Sequence, residues 1–433
     1  MAGDVRAVER LAAPPEATVA LAGSKSITNR ALLCATLAAG RSELRGASSS
    51  DDSLAMAACV ARLGANVAID ADEAQGVDIR VDGTAGALRP GPVDLDCRLA
   101  GTTARFVTAL VTLGRGAYRI DGAPPLRARP MAPLHDALAA LGTRLRPAGA
   151  PGHLPVVVEA TGLEGGRVAM AGDVSSQFVT ALMLVAPLTH RGIEIEVTTD
   201  LVSRPYLDIT ANVMRRFGAA DVSLGDRRVS VAPGGYRAAD VPIEPDASSA
   251  SYLWAAAAIT GGRIAVPGFG ASPVQGDAAF VDVLERMGAE VRRDGESIEV
   301  RGTGDLRGIE VDLRDLSDTV PTLAVVAACA SGPTRITGIG FIRAKETDRI
   351  AAVAAELRRC GVGVDEETDG LRVRPRSGGP HGARIRTYQD HRIAMAFAVL
   401  GLRTGGVEIE DPDVVDKSFP GFWAVVEGLG RSL

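Results

Sequence analysis

Lysine is almost absent from this chain of 433 residues. Of its 47 basic side chains only Lys25, Lys345 and Lys417 are lysines, and all the others are arginines. Arginine has therefore been used wherever either cation would serve, and each remaining lysine marks a position where a compact ammonium is useful. Because each lysine falls in a motif that suits an anion, we expect all three at a site for small phosphorylated anions.

Aromatic side chains and excess positive charge are also missing. Aromatic residues make up 4% of the chain and the net charge is −6. This composition argues against a nucleic-acid-binding surface and against platforms on which bases stack. It leaves room for a local cationic pocket.

Cysteine patterns and long apolar runs are lacking as well. The five scattered cysteines form no CxxC pair and no Cys/His cluster, which excludes a disulfide framework and a structural zinc site. No apolar run reaches the roughly 18–20 residues that span a membrane. The N-terminal stretch carries acids and prolines where a signal peptide needs apolar residues, so we expect a cytoplasmic protein.

What the chain does contain is a repeat. A cluster of small polar residues followed by an apolar stretch of helical length recurs six times, roughly every 70 to 77 residues. The six segments begin at Gly23, Ala100, Val174, Asp246, Leu316 and Tyr388. Each predicts a buried helix with a polar start, and the β-type runs between them, such as GVDIRVDG and GIEIEVTT, predict strands. The fold class is therefore α/β with mixed strands.

Six units suggest two domains of three units each. The boundary falls near residues 241–246, and the first twenty or so residues could add a strand to the second half. We expect one domain over 24–241 and another formed by 1–23 together with 242–433. Helix N-termini that converge on one cleft would attract anions.

The motif GSKSITNR places Lys25, Ser26 and Arg30 at a helix start without an acid nearby in sequence. Such cations need an external anion or a distant carboxylate, unless they form a solvated surface patch. The phosphate loop GxxxxGK[ST] is absent, which argues against a nucleotide triphosphatase.

Further motifs carry hydroxyls, amides and arginines suited to phosphate or to sugar-like hydroxyls. They supply Gly101, Arg129, Ser175, Ser176, Gln177, Ser203 and Tyr206. Gly101 would let backbone approach a ligand closely. Taken singly, each hydroxyl could equally be a helix cap.

The stretch IRAKETDRIAAV is the most informative. We expect Thr347 to cap the following helix and Lys345 and Arg349 to meet at i,i+4 spacing, which favours an anion between them. Glu346 beside them is a candidate proton donor or acceptor. The alternative is an ordinary charged helix start.

Three more polar groups open apolar segments or lie near the end of the chain. Asp318 begins one apolar helix, where it could be a simple cap, and Asp390-His391-Arg392 begins another. A buried Arg392 would need a partner anion. Lys417 lies in the final motif, DKSFPGFW.

Taken in order along the chain, the motifs GSKSITNR, LAGTTAR, RP, VSSQ, SRPYLDIT, DASSASY, KETDR, DHRIAM and DKSFPGFW resemble those of the 5-enolpyruvylshikimate-3-phosphate synthase family. The resemblance covers almost the whole chain. It implies two inside-out α/β domains of three βαβαββ units, crossed twice by the chain, with the active site in the cleft between them. It also implies transfer of the enolpyruvyl group of phosphoenolpyruvate to the 5-hydroxyl of shikimate 3-phosphate, without a metal or organic cofactor.

The resemblance assigns roles to individual residues. Asp318 would be the base for the 5-hydroxyl, and Glu346 the acid for the methylene, with Lys25 also catalytic. The shikimate 3-phosphate ligands would be Lys25, Ser26, Arg30, Ser175, Ser176, Gln177, Ser203, Tyr206, Asp318 and Lys345. The phosphoenolpyruvate ligands would be Lys25, Gly101, Arg129, Gln177, Arg349, Arg392 and Lys417.

Two positions depart from the family pattern, because Leu99 and Phe341 stand where asparagine is common. The second departure puts the binding of shikimate 3-phosphate in question. Two other functions are less compatible with the sequence. The UDP-N-acetylglucosamine enolpyruvyl transferase is disfavoured because the loop DGAPPLRAR has no cysteine, and a catalytically dead regulatory domain is disfavoured because Asp318 and Glu346 are present. We expect a monomer that binds small molecules, inhibition by glyphosate, and no nucleic-acid or membrane partner.

Overall fold

The chain divides into two units in the computed structural model, which describes residues 4–72, 76–219 and 221–430. The N-terminal unit runs from Ala22 to Glu244. The C-terminal unit combines the described residues up to Leu21 with those from Pro245 onward.

Helices and strands alternate along the chain. The helices are α1 Lys25–Leu37, α2 Asp51–Arg62, α3 Gly101–Leu110, α4 Pro124–Arg127, α5 Ala132–Ala140, α6 Ser176–Val185, α7 Pro205–Arg216, α8 Ala247–Thr260, α9 Phe280–Met287, α10 Val320–Ala328, α11 Arg349–Arg359, α12 His391–Thr404 and α13 Phe422–Leu429. The strands are β1 Val5–Val8, β2 Glu16–Thr18, β3 Arg41–Ala47, β4 Asn66–Asp72, β5 Gly76–Asp82, β6 Val93–Asp96, β7 Arg115–Asp121, β8 Arg144–Pro147, β9 Val156–Thr161, β10 Gly166–Met170, β11 Ile193–Val197, β12 Val222–Leu224, β13 Arg228–Val231, β14 Asp240–Pro242, β15 Arg263–Pro267, β16 Glu290–Arg293, β17 Ser297–Arg301, β18 Glu310–Asp312, β19 Thr334–Thr337, β20 Gly363–Glu367, β21 Gly370–Arg374, β22 Arg384–Ile385 and β23 Val407–Glu410.

The strands form small sheets on one common plan. The sheets of the N-terminal unit have the orders β14-β3-β5-β4, β6-β7-β9-β8 and β10-β11-β13-β12. Those of the C-terminal unit have the orders β2-β15-β17-β16, β18-β19-β21-β20 and β22-β23-β1. Each begins with a parallel pair and continues antiparallel, as Val168 beside Ile195 and then Ile195 beside Val229 illustrate. Strands β1 and β2, from the start of the chain, pair with β23 and β15 of the C-terminal unit.

Alternating side chains explain the strands. In β11, Ile193, Ile195 and Val197 are buried whereas the glutamates between them are not, because successive side chains point to opposite faces of a sheet. The β-type runs named from the sequence, GVDIRVDG and GIEIEVTT, form β5 and β11. Both strand predictions are confirmed.

Six buried helices follow the predicted repeat. They are α1, α3, α6, α8, α10 and α12. Helix α8 buries all of its fourteen residues except Ser248 and Thr260. A helix that is apolar around its whole circumference packs inside a domain, and α12 accordingly packs against both α8 and α10. The prediction of a buried helix in every repeat is confirmed.

The described residues form neither a membrane-spanning helix nor a disulfide bond. None of the helices in the described ranges is long and apolar enough to cross a membrane. The five cysteines are free thiols, and all but Cys329 are buried, as is common for cysteine side chains that pack like small apolar residues.

The start of α11 differs from the prediction. Asp348, not Thr347, is the N-cap, and its carboxylate accepts a hydrogen bond from the backbone N–H of Ala351. Lys345 lies before the helix, so the helical i,i+4 spacing expected between it and Arg349 does not apply. Either residue of the Thr-Asp pair can cap a helix, and the structure uses the carboxylate.

Candidate functional site

Lys25 opens α1 and has its anionic partner within the same unit. Its Nζ lies 2.9 Å from Oδ2 of Asp52, which is buried in the first turn of α2. The hydroxyl of Thr103 in α3 donates to the carbonyl of Asp52. Asp52 therefore joins the starts of three helices. Sequence reasoning missed it, because an acid in the first turn of a helix is ordinary.

Arg30 is almost completely buried and is held by neutral oxygens. Its guanidinium donates to Thr210 Oγ1 at 2.8 Å, to the carbonyl of Ser26 at 2.8 Å and to the carbonyl of Tyr206 at 3.3 Å. The guanidinium also lies over the rings of Phe106 and Tyr206. Burial lowers the pKa of Arg30 to about 10. A solvated surface patch is excluded at this residue.

Gly101 begins α3 in close contact with two guanidinium groups. A Cβ at this position would lie 2.5 Å from Nη1 of both Arg105 and Arg129. Arg105 is fixed by bonds to the carbonyls of Gly101 and Pro130, each at 3.0 Å. The site thus contains a second arginine, Arg105, that sequence reasoning had not singled out as a ligand.

The remaining candidates of the N-terminal unit cluster at helix starts. Ser175 caps α6 by accepting from the N–H of Gln177, so its cap role is real. Oε1 of Gln177 is buried and has no hydrogen-bond partner in the described part of the chain. Ser176 is buried beside it, and Ser203 has a φ of 55°, an unusual backbone for a non-glycine residue.

The C-terminal unit assembles three carboxylates around Arg349. Nε donates to Asp390 at 2.7 Å, one Nη donates to Glu346 at 2.7 Å, and the other donates to Asp318 at 3.2 Å. Three carboxylates therefore surround this guanidinium. Burial alone would lower the pKa of Arg349, but Asp390, Glu346 and Asp318 together raise it above the ordinary value.

Arg392 and Lys417 complete this cluster. Arg392 donates to Oδ2 of Asp318 at 2.6 Å, and Lys417 Nζ lies 3.3 Å from Oε1 of Glu346. Burial would raise the pKa of Asp318, yet the charges of Arg392, Lys345 and Arg349 hold it well below its usual range. Asp318 is thus ionised at neutral pH and is no helix cap.

Two further acids belong to this region. Asp390 is fully buried, caps α12 through the N–H of Arg392, and orients Arg349. Burial, and then the charge of Asp318, raises the pKa of the buried Asp277 to about 6. Sequence reasoning noted Asp390 only as part of a motif and did not identify Asp277.

The arrangement supports acid–base chemistry on an anion. Asp318 and Glu346 both accept hydrogen bonds from Arg349. Asp318 also contacts Arg392, and Glu346 also contacts Lys417. No group of His, Cys, Asp and Glu within the described ranges is placed to hold a metal ion. An anionic substrate that engages Arg349 and Arg392 would compete with Asp318 for them and so raise the basicity of that carboxylate.

The chain is similar to known proteins over almost its whole length. The family model for EPSP synthase (3-phosphoshikimate 1-carboxyvinyltransferase) matches residues 11–426. A 3-phosphoshikimate 1-carboxyvinyltransferase of Trichormus variabilis is 43% identical over 421 residues, which is 97% of this chain and 98% of the relative.

Solved structures show the same fold. EPSP synthase from Acinetobacter baumannii superposes with a TM-score of 0.81 at 24% identity, covering 99% of this chain and 98% of the other. The enolpyruvyl transferase NikO from Streptomyces tendae gives 0.78 at 21% identity, with the same coverage. The predicted two-domain enolpyruvyl transferase fold is confirmed.

Proposed function

Because the chain belongs to the EPSP synthase family, we propose that it transfers the enolpyruvyl group of phosphoenolpyruvate to the 5-hydroxyl of shikimate 3-phosphate. The products are 5-enolpyruvylshikimate 3-phosphate and inorganic phosphate. The reaction belongs to the shikimate pathway to chorismate and the aromatic amino acids.

The observation that carries the proposal is the pair of carboxylates on Arg349. Asp318 is kept ionised by the cations around it, so it can accept a proton. Glu346 lies on the other side of the same guanidinium and also contacts Lys417. A base and an acid held by one rigid, planar group keep a fixed separation, as a reaction with two proton transfers requires.

The proposed reaction uses Glu346 and Asp318 in successive proton transfers. Glu346 protonates the methylene carbon of phosphoenolpyruvate, which makes the adjacent carbon electrophilic. The 5-hydroxyl attacks that carbon while Asp318 takes the hydroxyl proton. The tetrahedral adduct then expels phosphate, and the methyl group returns its extra proton to the carboxylate of Glu346, which restores the methylene. Acid–base groups of this kind contribute about 10²–10⁴-fold each.

The remaining residues bind the two anions in this proposal. Arg349 and Arg392 hold the carboxylate of phosphoenolpyruvate, a task that suits planar guanidinium groups. Its phosphate falls to Lys25, Arg129, Gln177 and Lys417, with Gly101 giving backbone access. Support comes from the closeness of Gly101 to the guanidinium group of Arg129.

Shikimate 3-phosphate is assigned to hydroxyls and cations of the N-terminal unit, with help from Asp318 and Lys345. These residues are Lys25, Ser26, Arg30, Ser175, Ser176, Gln177, Ser203 and Tyr206. Ser26, Arg30 and Tyr206 are in direct contact, which supports a common role. Phe341, which replaces the asparagine of the family pattern, lies beside Lys345, with Nζ 5.7 Å from the ring centre. In this proposal the residues assigned to phosphoenolpyruvate and those assigned to shikimate 3-phosphate take part in one reaction.

The test is a direct assay. Purified protein is mixed with shikimate 3-phosphate and phosphoenolpyruvate, and phosphate release is measured alongside the enolpyruvyl product by mass spectrometry. A parallel reaction replaces shikimate 3-phosphate with UDP-N-acetylglucosamine. We expect turnover only in the first reaction, and turnover only in the second would refute the assignment.

A further inference from the structure

The turn that leads into α12 has a backbone that its residues disfavour. Tyr388 and Gln389 have φ values of 54° and 56°, and the N–H of Asp390 donates to the carbonyl of Thr387 at 2.8 Å. Two consecutive positive φ values inside a closed four-residue turn are characteristic of a mirror-image turn, which glycine, asparagine and aspartate normally occupy. Neither tyrosine nor glutamine is suited to it, so surrounding contacts must hold the turn in place.

One buried carboxylate supplies those contacts. Glu356 is fully buried in α11, and it accepts from the hydroxyl of Tyr388 at 2.6 Å and from the N–H of Arg386 at 3.2 Å. Its remaining charged partner is Arg359, one helical turn further along, at 3.3 Å. We call Glu356, Arg386 and Tyr388 the Glu356 clamp.

The clamp and the proposed active site share a helix. Arg349 and Glu356 are separated by about two turns of α11 and so lie on the same side of it. Through Arg349 this side binds Asp390, and through Glu356 it binds the residue two positions earlier in the chain, Tyr388. The segment before α12 is therefore attached to α11 on both sides of the strained turn.

The direction in which Asp390 and Arg392 enter the site depends on this turn. Asp390 accepts from both Arg349 and the N–H of Arg392, and Arg392 in turn donates to Asp318. A turn that relaxed to ordinary backbone angles would reorient Asp390 and shift Arg392 with it. Burial, and then the hydrogen bond to Glu356, raises the pKa of Tyr388 to about 12, so the hydroxyl stays a donor at neutral pH.

We propose that Glu356 and Tyr388 are positioning residues for phosphoenolpyruvate: they hold the strained Tyr388–Gln389 turn and thereby fix Asp390 and Arg392 for the substrate carboxylate. The inference rests on the proposed function, because it assigns that carboxylate to Arg349 and Arg392. Neither positioning residue touches the reacting atoms in this scheme.

The test compares Tyr388→Phe and Glu356→Gln with the control Tyr118→Phe. Tyr118, in β7, also donates its hydroxyl to a carbonyl, that of Arg89, at 2.8 Å, and it is not part of the site. Loss of a hydrogen bond to a charged group should raise KM for phosphoenolpyruvate about tenfold in Tyr388→Phe, with a smaller effect on kcat. KM for shikimate 3-phosphate should change by less than about twofold, as should all constants of the control.

A rescue variant separates positioning from mere stability. Gln389 is exposed, and asparagine tolerates positive φ better than glutamine does. Adding Gln389→Asn to Tyr388→Phe should therefore recover most of the lost affinity for phosphoenolpyruvate. If Tyr388→Phe keeps the wild-type KM while its melting temperature falls as in the control, the clamp only stabilises the fold and the proposal is wrong.

Hydrogen exchange makes the outcome independent of activity. The amide of Asp390 closes the turn, so it should exchange faster in Tyr388→Phe and Glu356→Gln than in the wild type. If the wild type fails to turn over the two substrates, the proposed function is at fault, whereas exchange still tests whether the clamp holds the turn. Unchanged exchange in both variants would overturn the clamp.

Discussion

Arg30 in the N-terminal unit and Arg349 in the C-terminal unit are equally buried, but their surroundings are opposite. Arg30 is held by a hydroxyl and two carbonyl groups, whereas Arg349 is held by three carboxylates. Burial lowers the pKa of Arg30 to about 10, and the carboxylates raise that of Arg349 despite its burial.

Under the proposed function, Arg30 and Arg349 have different roles. A buried guanidinium among neutral oxygens keeps its charge for an anion, which suits a phosphate-bearing substrate. A guanidinium among carboxylates helps to keep Asp318 ionised, as the proposed base must be. If the two arginines differ in this way, substitutions around them should have unequal consequences.

The largest effect should come from the carboxylates on Arg349. Asp318→Asn and Glu346→Gln should each lower kcat by about 10²–10⁴-fold, because each removes a proton-transfer group. Asp348→Asn is the control, since asparagine caps helices as well as aspartate does and Asp348 only caps α11 and pairs with Arg343. Steady-state kinetics would contradict the assignment if either acid variant kept wild-type kcat.

Removing Arg349 should lower the unfolding free energy more than removing Arg30. Arg349→Met leaves Asp318, Glu346 and Asp390 without their shared cation and should cost about 3–5 kcal/mol of unfolding free energy. Arg30→Met removes a buried charge held by neutral groups and should cost about 1 kcal/mol. Urea unfolding of both variants checks this, and equal losses would show that the comparison is wrong.

The effect of pH on stability should also differ between a buried acid of the C-terminal unit, Asp277, and a buried histidine of the N-terminal unit, His135. The pKa of Asp277 is raised to about 6 in the folded protein, so its ionisation destabilises the fold as the pH rises from about 4 past 6. Asp277→Asn should therefore gain about 3 kcal/mol of unfolding free energy at pH 7.5 and nothing at pH 4.

His135 in the N-terminal unit should make stability depend on pH in the opposite direction to Asp277. Burial lowers its pKa to about 4, so the unfolded chain takes up the proton first and stability is lost as the pH falls from about 6.5 towards 4. His135→Gln should remove that loss. Thermal melts of both variants across pH 4–8 measure the two trends, and parallel slopes would contradict them.

The smallest effect should come from Gly101→Ala. The new Cβ would displace the guanidinium groups of Arg105 and Arg129, so KM for phosphoenolpyruvate should rise about tenfold. Glyphosate, which the family resemblance implies as an inhibitor in place of phosphoenolpyruvate, should lose affinity as well. Gly234→Ala is the control in the same unit, because a Cβ there meets nothing within 4 Å. Equal kinetics for the two variants would show that close backbone approach is unimportant.

Much of the fold could be predicted from local pattern. The alternation in GIEIEVTT gave a strand, and the apolar run DASSASYLWAAAAITGG gave a buried helix that Asp246 caps and Gly261 ends in a left-handed conformation. Such features depend on residues close in sequence, whose spacing is visible in one dimension. The family resemblance, which the comparisons confirm, depended on short motifs in a fixed order.

The partners of the site residues could not be predicted in this way. Lys25 has its carboxylate 27 positions away at Asp52, and Arg349 reaches Asp390 across 41 positions. Thr347 was expected to cap α11, but Asp348 does so, because adjacent capping residues look alike in sequence and only backbone geometry selects between them.

The repeat, most helices and strands, the family and the residue types available for binding anions can all be recognised in the sequence. Only the tertiary structure decided which carboxylates surround which cations. It placed Arg30 among neutral oxygens and Arg349 among three acids, although both are buried residues of helices. The physical reason is that a buried charge is stabilised by whatever packs against it in space, and such neighbours come from distant parts of the chain.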